Sequence, residues 1–462
     1  MKDYPASGAG ESRLQEILKL LRSGERVVIV DSPPGAGKTE LLTMISAQLF
    51  ADGQRCLVAT QTNAQAHSVV ERICQKRDQI PVVFYHARSG SGGGLAKDLR
   101  NKYPNRVRIV LSARELPDGP CIVVGNSHKW IWTRLHPSFD VLVVEEAYQL
   151  PDYRFHQLTG FAGQCVLVGD PGQIPPIVNC QVENWKGNPS GPQIPAPAPL
   201  LHRFPRTPVV RLPVSRRLVA DSVEFVQPAF YPLHSFTALA KDGERSLTVD
   251  RGGEDGLDLA IDAVAAGASM IQVALPEAMT GQADPGAAAT IEHLIQRLIK
   301  RRAAYRDALE PNSSKELQPS DIGVVCANVT QAVAVRRRLP AEWLQGSPGV
   351  SERLVVETAD RFQGLECTIV IVHHPLSGRF EATDFQMSVG RLCVMLSRHR
   401  LACFVVARDG MERVLKQYVP TTARLFDQRG DEEYRGWKAH DHILRELRAK
   451  NRIFHYDPNN SV

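Results

Sequence analysis

Several features that mark other classes of protein are missing from this chain of 462 residues. No stretch approaches the ~20 consecutive apolar residues that a membrane helix requires, and the opening residues MKDYPASGAGESR lack the apolar core of a secretory signal. The nine cysteines form no CxxC pair and no cysteine–histidine cluster at zinc spacing. We therefore expect a soluble, cytoplasmic protein, without a membrane partner, whose thiols are buried and reduced.

A strong net charge is also missing. Lys and Arg number 55 against 50 for Asp and Glu, which gives a formal net charge of +5. Over this length the excess is too small to indicate a polyanionic partner by itself, although it permits a local basic groove. No internal repeat is evident, and the length predicts about two to three domains.

The segment SPPGAGKT at residues 32–39 is the most informative one present. It follows the apolar run 27–30 and precedes an amphipathic stretch, so strand, glycine-rich turn and helix are predicted in the order of a phosphate-binding loop. The glycines let backbone N–H groups surround a β-phosphate, the lysine can reach the β/γ oxygens, and the threonine can hold Mg²⁺. Ser32, a small residue, replaces the usual first glycine. The predicted nucleotide-binding residues here are Pro34, Gly35, Ala36, Gly37, Lys38 and Thr39.

A second constellation is VLVVEEAYQ, in which four apolar residues end in Glu145 and Glu146. Open α/β sheets place ligand chemistry at the carboxyl ends of such buried strands. One carboxylate can lie near Mg²⁺, directly or through water, and the other can orient or deprotonate the attacking water. The alternative is a solvated strand end. A further strand in VLVGDPGQIPP is followed by Gln173, which could sense the γ-phosphate.

Short apolar runs alternate with helical patterns in two series, and such runs indicate parallel sheets covered by helices on both faces. We therefore predict an α/β fold with two domains. Between the series lies GNPSGPQIPAPAPLL, whose prolines predict an ordered irregular loop near the domain junction, with a flexible linker as the alternative. The first series contains residues 27–30, 56–59, 121–124, 141–144 and 166–168, and the second contains 322–326, 369–372 and 404–407.

Ordered segments along nearly the whole chain resemble the motifs of superfamily 1 helicases, most of all those of the branch that contains the nonsense-mediated-decay RNA helicase. The resemblance implies two RecA-like domains, residues 1–205 and 206–462, with ATP between them and single-stranded nucleic acid across them. It also implies a reduced accessory insertion at about residues 76–120. The segments are SPPGAGKT, LVATQTNAQAHSVVERI, CIVVGNSHKW, VLVVEEAYQ, VLVGDPGQIPP, PVSRRLVADSVEFVQPAFY, DIGVVCANVTQAV, VVETADRFQGLE and VMLSRHR.

The resemblance also assigns roles to single residues. Glu145 stands where the family has an Mg²⁺-linked Asp, and Arg216 stands where relatives have a Tyr that stacks on adenine, as a guanidinium can also do. We expect these departures to affect the rate and the base preference rather than ATP hydrolysis itself. The other matches are Lys38 and Thr39 with the phosphate and Mg²⁺ residues, Glu146 with the general base, Gln173 with the γ-phosphate sensor, Arg217 and Arg398 with the arginines of motifs IV and VI, Glu366 with a ribose contact and Gln15 with an adenine-reading glutamine.

Small polar residues follow several predicted strands, where they can bind phosphates without reading sequence. In SHKWIW the aromatic residues could stack on bases, but aromatics two residues apart on an apolar segment are typical of a core, so we expect Trp130 and Trp132 to be buried. Whether the basic segment 76–114 grips a strand or is a solvated face stays open. The predicted nucleic-acid-binding residues are Thr62, Asn63, Asn126, Ser127 and Thr358.

Two functions follow as alternatives. The complete motif series favours an ATP-dependent translocase or helicase that moves on single-stranded DNA or RNA. The short insertion and Glu145 favour a nucleic-acid-binding ATPase that acts as a switch or clamp with a partner protein and separates no strands. A small-molecule kinase is disfavoured by the second domain and by the late arginine Arg398.

Overall fold

The chain divides into two units in the computed structural model, which describes residues 8–77, 79–87, 92–135, 137–185, 188, 191–310, 314–345, 353–418 and 432–459. The first unit contains the described residues up to 171 and residues 175–213. The second contains residues 172–174 and the described residues from 214 onward. The chain thus passes between units at Pro213 and Val214, whereas the sequence prediction divided it after residue 205.

The first unit is built on one sheet of eight strands, all parallel, in the order β4-β3-β5-β2-β6-β7-β1-β8. The strands are β1 (Val27–Asp31), β2 (Arg55–Thr60), β3 (Val82–Tyr85), β4 (Val107–Val110), β5 (Cys121–Asn126), β6 (Phe139–Glu145), β7 (Ala162–Gly169) and β8 (Val209–Arg211). The helices are α1 (Gly8–Arg22), α2 (Lys38–Ala51), α3 (Asn63–Lys76), α4 (Gly92–Lys102), α5 (Ser127–Ile131), α6 (Asp152–Leu158) and α7 (Pro197–Arg203).

Alternate residues of each central strand enter two separate cores. Val141 and Val143 of β6 pack with α1 to α4, whereas Leu142 and Val144 pack with α5 to α7. Because successive side chains of a strand point to opposite faces, a fully apolar strand serves both layers of helices at once.

The second unit has a sheet of six parallel strands in the order β16-β15-β17-β18-β12-β19, a three-stranded antiparallel sheet and a short parallel pair. Its strands are β9 (Val214–Ser215), β10 (Thr237–Ala238), β11 (Arg245–Thr248), β12 (Met270–Leu275), β13 (Ala304–Asp307), β14 (Ser314–Glu316), β15 (Ile322–Cys326), β16 (Val355–Thr358), β17 (Cys367–His373), β18 (His399–Arg408) and β19 (Ile453–His455). Its helices are α8 (Ala220–Phe230), α9 (Gly256–Ala265), α10 (Pro285–Lys300), α11 (Val329–Arg336), α12 (Ala341–Gln345), α13 (Ala359–Phe362), α14 (Val389–Leu396), α15 (Met411–Gln417) and α16 (Glu432–Ala449).

The predicted α/β fold with two helix-covered parallel sheets is confirmed. In the second unit too, Ile369 and Ile371 of β17 face one core and Val370 and Val372 face the other. None of the helices in the described residues is long and apolar enough to cross a membrane.

Two local expectations were wrong. The proline-rich segment before residue 201 was expected to lack regular structure, yet α7 begins there at Pro197, because the first helical position needs no backbone N–H donor. Trp132 was expected in the core, yet its side chain is 74% exposed, whereas Trp130 is fully buried as expected. In the region of the expected insertion, β3 and β4 extend the main sheet at one edge and α4 connects them.

Gly436, inside α16, provides a test of the packing in the second unit. A Cβ atom at this position would collide with the backbone oxygen of Met387, which is fully buried. Although alanine is intrinsically better in a helix by roughly 0.5–1 kcal/mol, we expect Gly436→Ala to destabilise the protein by about 1–3 kcal/mol in urea unfolding. Gly93→Ala in α4 is the matched control, because no atom of the described part of the chain lies within 4 Å of its added methyl group. Equal unfolding midpoints for the two variants would contradict this packing.

Candidate nucleotide-binding site

The phosphate-binding loop connects the end of β1 to the start of α2 at Lys38. Gly35 and Gly37 adopt φ angles of +71° and +87°, a left-handed conformation that glycine reaches without steric cost. At the other end of the loop, the backbone N–H of Ser32 donates to the carbonyl of Gly169 at 2.9 Å. The loop is thereby tied to the end of β7, and its glycines let the backbone turn into the first residues of α2.

Two carboxylates from the end of β6 meet the first residues of α2. The ammonium group of Lys38 donates to Glu146 Oε1 at 2.6 Å. The hydroxyl group of Thr39 donates to Glu145 Oε1 at 3.1 Å. The structure therefore brings together four residues that the sequence predicted for phosphate, metal and water chemistry.

Glu145 is the more unusual of the two carboxylates. It is only 6% exposed, and burial together with the adjacent charge of Glu146 raises its pKa from 4.5 to about 7, against the opposing effects of Lys38 and Thr39. Its Oε2 atom is buried and has no hydrogen-bond partner among the residues that the structure describes. A buried oxygen acceptor beside a threonine hydroxyl suits a hard cation such as Mg²⁺. Thr39 and Glu145 therefore fit the metal that the sequence predicted.

The turn after β6 holds Glu146 in an uncommon backbone conformation, with φ 53° and ψ 48°. A non-glycine residue in this left-handed region is strained and needs support from its surroundings. Tyr148 gives that support, because its hydroxyl donates to Asp31 Oδ1 at 2.6 Å. It also packs on Gly169, where a Cβ atom would lie 2.8 Å from the tyrosine ring. The general-base candidate is thus fixed by contacts to β1 and β7.

Gln15, the proposed adenine-reading residue, lies on the exposed face of α1. Its side-chain amide donates to Glu11 of the same helix at 3.3 Å. The opposite face of α1 buries Leu14, Ile17 and Leu18 in the core. This arrangement is that of an ordinary amphipathic helix, and the adenine-reading role stays a prediction.

The predicted nucleic-acid residues of the first unit lie at the carboxyl ends of the neighbouring strands β2 and β5. We call Thr62, Asn63, Asn126 and Ser127 the strand-end cluster. Thr62 caps α3, with its hydroxyl accepting from Gln65 N at 3.1 Å. Asn126 caps α5, and its amide donates to Asn63 Oδ1. Both loops are therefore held in place and joined to each other by side-chain hydrogen bonds.

Gln61 was missed by the sequence analysis. Its amide nitrogen donates to the backbone oxygen of Glu145 at 3.2 Å, and its Oε1 atom accepts from the Ser127 hydroxyl at 3.5 Å. A single side chain at the end of β2 thus links the carboxylate strand β6 to the strand-end cluster. The only sequence signal was its position directly before Thr62, which does not reveal its partners.

In the second unit, two predicted residues form an ion pair: Arg217 Nε donates to Glu366 Oε2 at 2.9 Å. Arg217 also donates to the carbonyl of Ser397 at 3.2 Å, one residue before Arg398. Burial opposes ionisation of Glu366, but the charges of Arg217, Arg400 and Arg245 outweigh it and lower the pKa of that carboxyl. Arg217 and Arg398, the predicted matches to the arginines of motifs IV and VI, therefore lie on adjoining segments.

Arg245 is a second residue that the sequence analysis missed. Its buried guanidinium donates to the carbonyl oxygens of Arg216, at 2.7 Å, and of Arg217. It also pairs with Asp307 at 3.1 Å. The backbone that carries Arg216 and Arg217 is therefore held by a third arginine, Arg245, and its carboxylate partner Asp307.

The other two predicted residues also belong to the second unit. Gln173 groups with this unit rather than with the first, and its Oε1 atom accepts from Gln363 at 3.4 Å. Thr358 ends β16 and precedes α13, with a side chain that is largely buried. Thr358 is therefore in a different unit from the strand-end cluster, and both assigned roles stay predictions.

A glycine-rich phosphate loop that faces two strand-end carboxylates on a parallel sheet defines a P-loop nucleoside triphosphatase. A family model described as an AAA domain matches residues 11–183, and a second model with that description matches residues 276–410. Together with the ordered motifs, these matches support a superfamily 1 helicase. They do not single out the nonsense-mediated-decay branch.

Two curated relatives carry the name DNA replication ATP-dependent helicase/nuclease DNA2. The Xenopus laevis protein is 30% identical over 190 residues, which are 38% of this chain and 17% of that protein. The Mus musculus protein is 28% identical over 183 residues, which are 37% and 16% of the two chains. The chain therefore spans about a sixth of the length of these relatives.

Solved structures with a similar chain path include the PRRSV helicase, with a TM-score of 0.41 and 13% identity over 86% of this chain and 54% of that one. A complex of the arterivirus nonstructural protein 10 helicase with DNA gives a TM-score of 0.41 and 12% identity, over 88% and 65%.

The raised pKa of Glu145 predicts how Mg²⁺ strengthens nucleotide binding. Below about pH 7 the Glu145 carboxyl is largely protonated and is therefore a poor metal ligand. The factor by which Mg²⁺ increases the affinity of the protein for ADP should therefore rise by up to tenfold per pH unit below about pH 7 and become constant above it. Titration of a fluorescent ADP with and without Mg²⁺, between about pH 5.5 and 8.5, measures this gain. In Glu145→Gln this position does not titrate, so the Mg²⁺ effect on ADP affinity should change with pH only as far as protonation of the nucleotide phosphates requires. Identical pH profiles for both proteins would exclude Glu145 as the metal-linked residue.

Proposed function

We propose that this protein is an ATP-dependent translocase or helicase that hydrolyses ATP and moves on single-stranded nucleic acid. The observation that supports this most directly is the continuous set of contacts in the first unit. Lys38 and Thr39 contact the two carboxylates, and Gln61 joins the backbone of Glu145 to Ser127 of the strand-end cluster. An ATP site and a set of phosphate-binding candidates thus share one edge of one sheet.

The residues of the first unit suit the parts of phosphoryl transfer. The Lys38 ammonium group can neutralise β/γ-phosphate charge, and Glu146 can accept a proton from the attacking water. In the structure these two groups pair with each other at 2.6 Å, so a bound phosphate would compete with Glu146 for the same ammonium group. Mg²⁺, held by Thr39 and Glu145, would supply further neutralisation of phosphate charge.

The arginines of the second unit are the proposed source of the remaining positive charge. Charge spreads over the γ-phosphate oxygens as the bond breaks, and guanidinium groups stabilise it well because their donors match oxygen pairs. We propose Arg217 and Arg398 for this role, Glu366 for a contact to the ribose, and Gln173 for sensing the γ-phosphate.

A switch or clamp that acts with a partner protein is the second candidate. It is favoured by the region of the expected insertion, where β3 and β4 form part of the main sheet and α4 connects them. Residues 79–87 and 92–110 therefore form no separate subdomain. A strand-displacement assay distinguishes the two candidates, because a clamp would hydrolyse ATP without separating a duplex.

Single strands should stimulate hydrolysis if the proposal is correct, because ligands that favour the same conformation bind cooperatively. The test is the ATPase rate of the purified chain against increasing single-stranded DNA or RNA at fixed low salt, with DNA tested first because of the curated relatives. Glu146→Gln should keep ATP affinity while its turnover falls by about 10²–10⁴-fold, as expected for loss of a general base. An absence of stimulation by both polymers would exclude the translocase.

Gln61 should carry part of the coupling between the two sites. Gln61→Ala removes the amide that spans β6 and the strand-end cluster, so we expect strand stimulation of the ATPase to fall about fivefold or more while nucleotide affinity stays nearly unchanged. Gln164→Ala is the matched control. Like Gln61, Gln164 lies in the first unit and its side-chain amide donates to backbone carbonyls, here two at 2.8 Å each, but it lies at the start of β7. Equal stimulation of the two variants would show that Gln61 is only structural.

A further inference from the structure

The aromatic residues of α5 and its C-terminal cap face opposite surroundings. Trp130 is fully buried, with its ring centroid 4.6 Å from Tyr85, 5.6 Å from Phe139 and 5.5 Å from Phe161. Trp132, two residues later, is 74% exposed. A tryptophan stabilises a fold most when its large ring is covered, so the exposed ring of Trp132 contributes little to the packing of α5.

The Trp132 ring is held in place despite its exposure. Its indole N–H donates to His128 Nε2 at 3.2 Å, and the two rings lie 6.1 Å apart at 51°. The backbone N–H of Trp132 donates to the carbonyl of His128 at 3.3 Å. Since the polar edge of the indole is already satisfied, its two faces are what remains for a ligand. A ring that is fixed before binding loses little entropy on binding.

The helix under the ring is also fixed. The Lys129 ammonium group donates to the carbonyl of Leu111 at 3.1 Å and lies 4.5 Å above the Tyr85 ring. The Asn126 side chain caps the helix by accepting from Lys129 N at 2.7 Å. The exposed ring therefore follows a helix that is anchored at its N-terminal cap and at Lys129.

The location of the ring indicates its ligand. Asn126, the N-terminal cap of α5, belongs to the strand-end cluster and is partly exposed, whereas Ser127 is buried. Trp132 is the C-terminal cap of the same helix. At a rise of 1.5 Å per residue the two caps are separated by about 9 Å along the axis. A strand whose phosphate binds at Asn126 could therefore place a neighbouring base over the indole.

On the basis of the proposed function, we infer that Trp132 is a stacking platform for one base of a bound single strand, supported by His128. Stacking on an aromatic ring does not depend on which base is present, because every base offers a π face. The ring would thus add affinity without sequence preference. It complements the polar cluster beside it, whose groups contact phosphates and also read no sequence.

The test is equilibrium binding of a labelled oligothymidylate to the full chain and to three variants, by fluorescence anisotropy at fixed salt. We expect Trp132→Ala to weaken binding about 5- to 150-fold, the range for loss of one base–aromatic stack, and Trp132→Phe to recover most of the affinity. Trp185→Ala is the matched control, because Trp185 is 40% exposed and lies in the same unit. The Trp185→Ala variant should bind the oligothymidylate with the same affinity as the wild type. Thermal melting of each variant checks that the fold is intact.

Two further measurements distinguish base stacking from other reasons for weaker binding by Trp132→Ala. The slope of log affinity against log salt should be the same for the wild type and Trp132→Ala, because a base contact releases no counterions. An oligonucleotide of the same length with abasic sites should bind both proteins alike. Wild-type affinity in Trp132→Ala would overturn the inference and leave the ring to another use such as a protein contact. Failure of the wild type to bind any single strand would overturn the proposed function together with it.

Discussion

The parallel register of the first sheet is the constraint on which the site depends. Asp31 of β1 pairs in register with Gly169 of β7, and Glu145 of β6 pairs with Val168 of that strand. Because parallel strands end at the same edge, the phosphate loop, the two carboxylates and the strand-end cluster all emerge on one side of the sheet. No single loop positions them; the backbone hydrogen bonds of the sheet do.

Two carboxylates lie at that edge, and only one of them, Glu146, forms an ion pair with Lys38 within the described residues. Glu145 is buried and accepts from the Thr39 hydroxyl; burial and the adjacent charge of Glu146 raise its pKa to about 7. An unpaired buried carboxyl destabilises a fold, and such groups persist where function requires them. The strained backbone at Glu146 fits the same pattern, since local rules are broken most often at functional sites.

The sequence predicted what depends on local pattern. All eight apolar runs became strands, and the phosphate loop lies beside the carboxylates that end β6 and follow it, because parallel strands end at the same edge of a sheet. The contacts of Gln61 and Arg245 could not be predicted, since their partners lie between 28 and 155 residues away in the chain. Trp132 was misjudged because its neighbours are apolar, whereas its exposure is decided by the end of α5.

The second unit shows how one carboxylate can bind an arginine and still be available for its predicted contact to the ribose. Glu366 Oε2 accepts from Arg217, and the surrounding guanidinium groups keep the carboxyl ionised by lowering its pKa. An ionised carboxylate has a second oxygen and several lone pairs, so it can accept from a ribose hydroxyl without releasing the arginine. Arg245 holds the backbone of Arg217 by its carbonyl and leaves the Arg217 side chain to the carboxylate and to any incoming phosphate. The ion pair with Arg217 and the ribose contact are therefore compatible. A phosphate would compete with Glu366 for the Arg217 side chain, while Arg245 would still hold the Arg217 backbone.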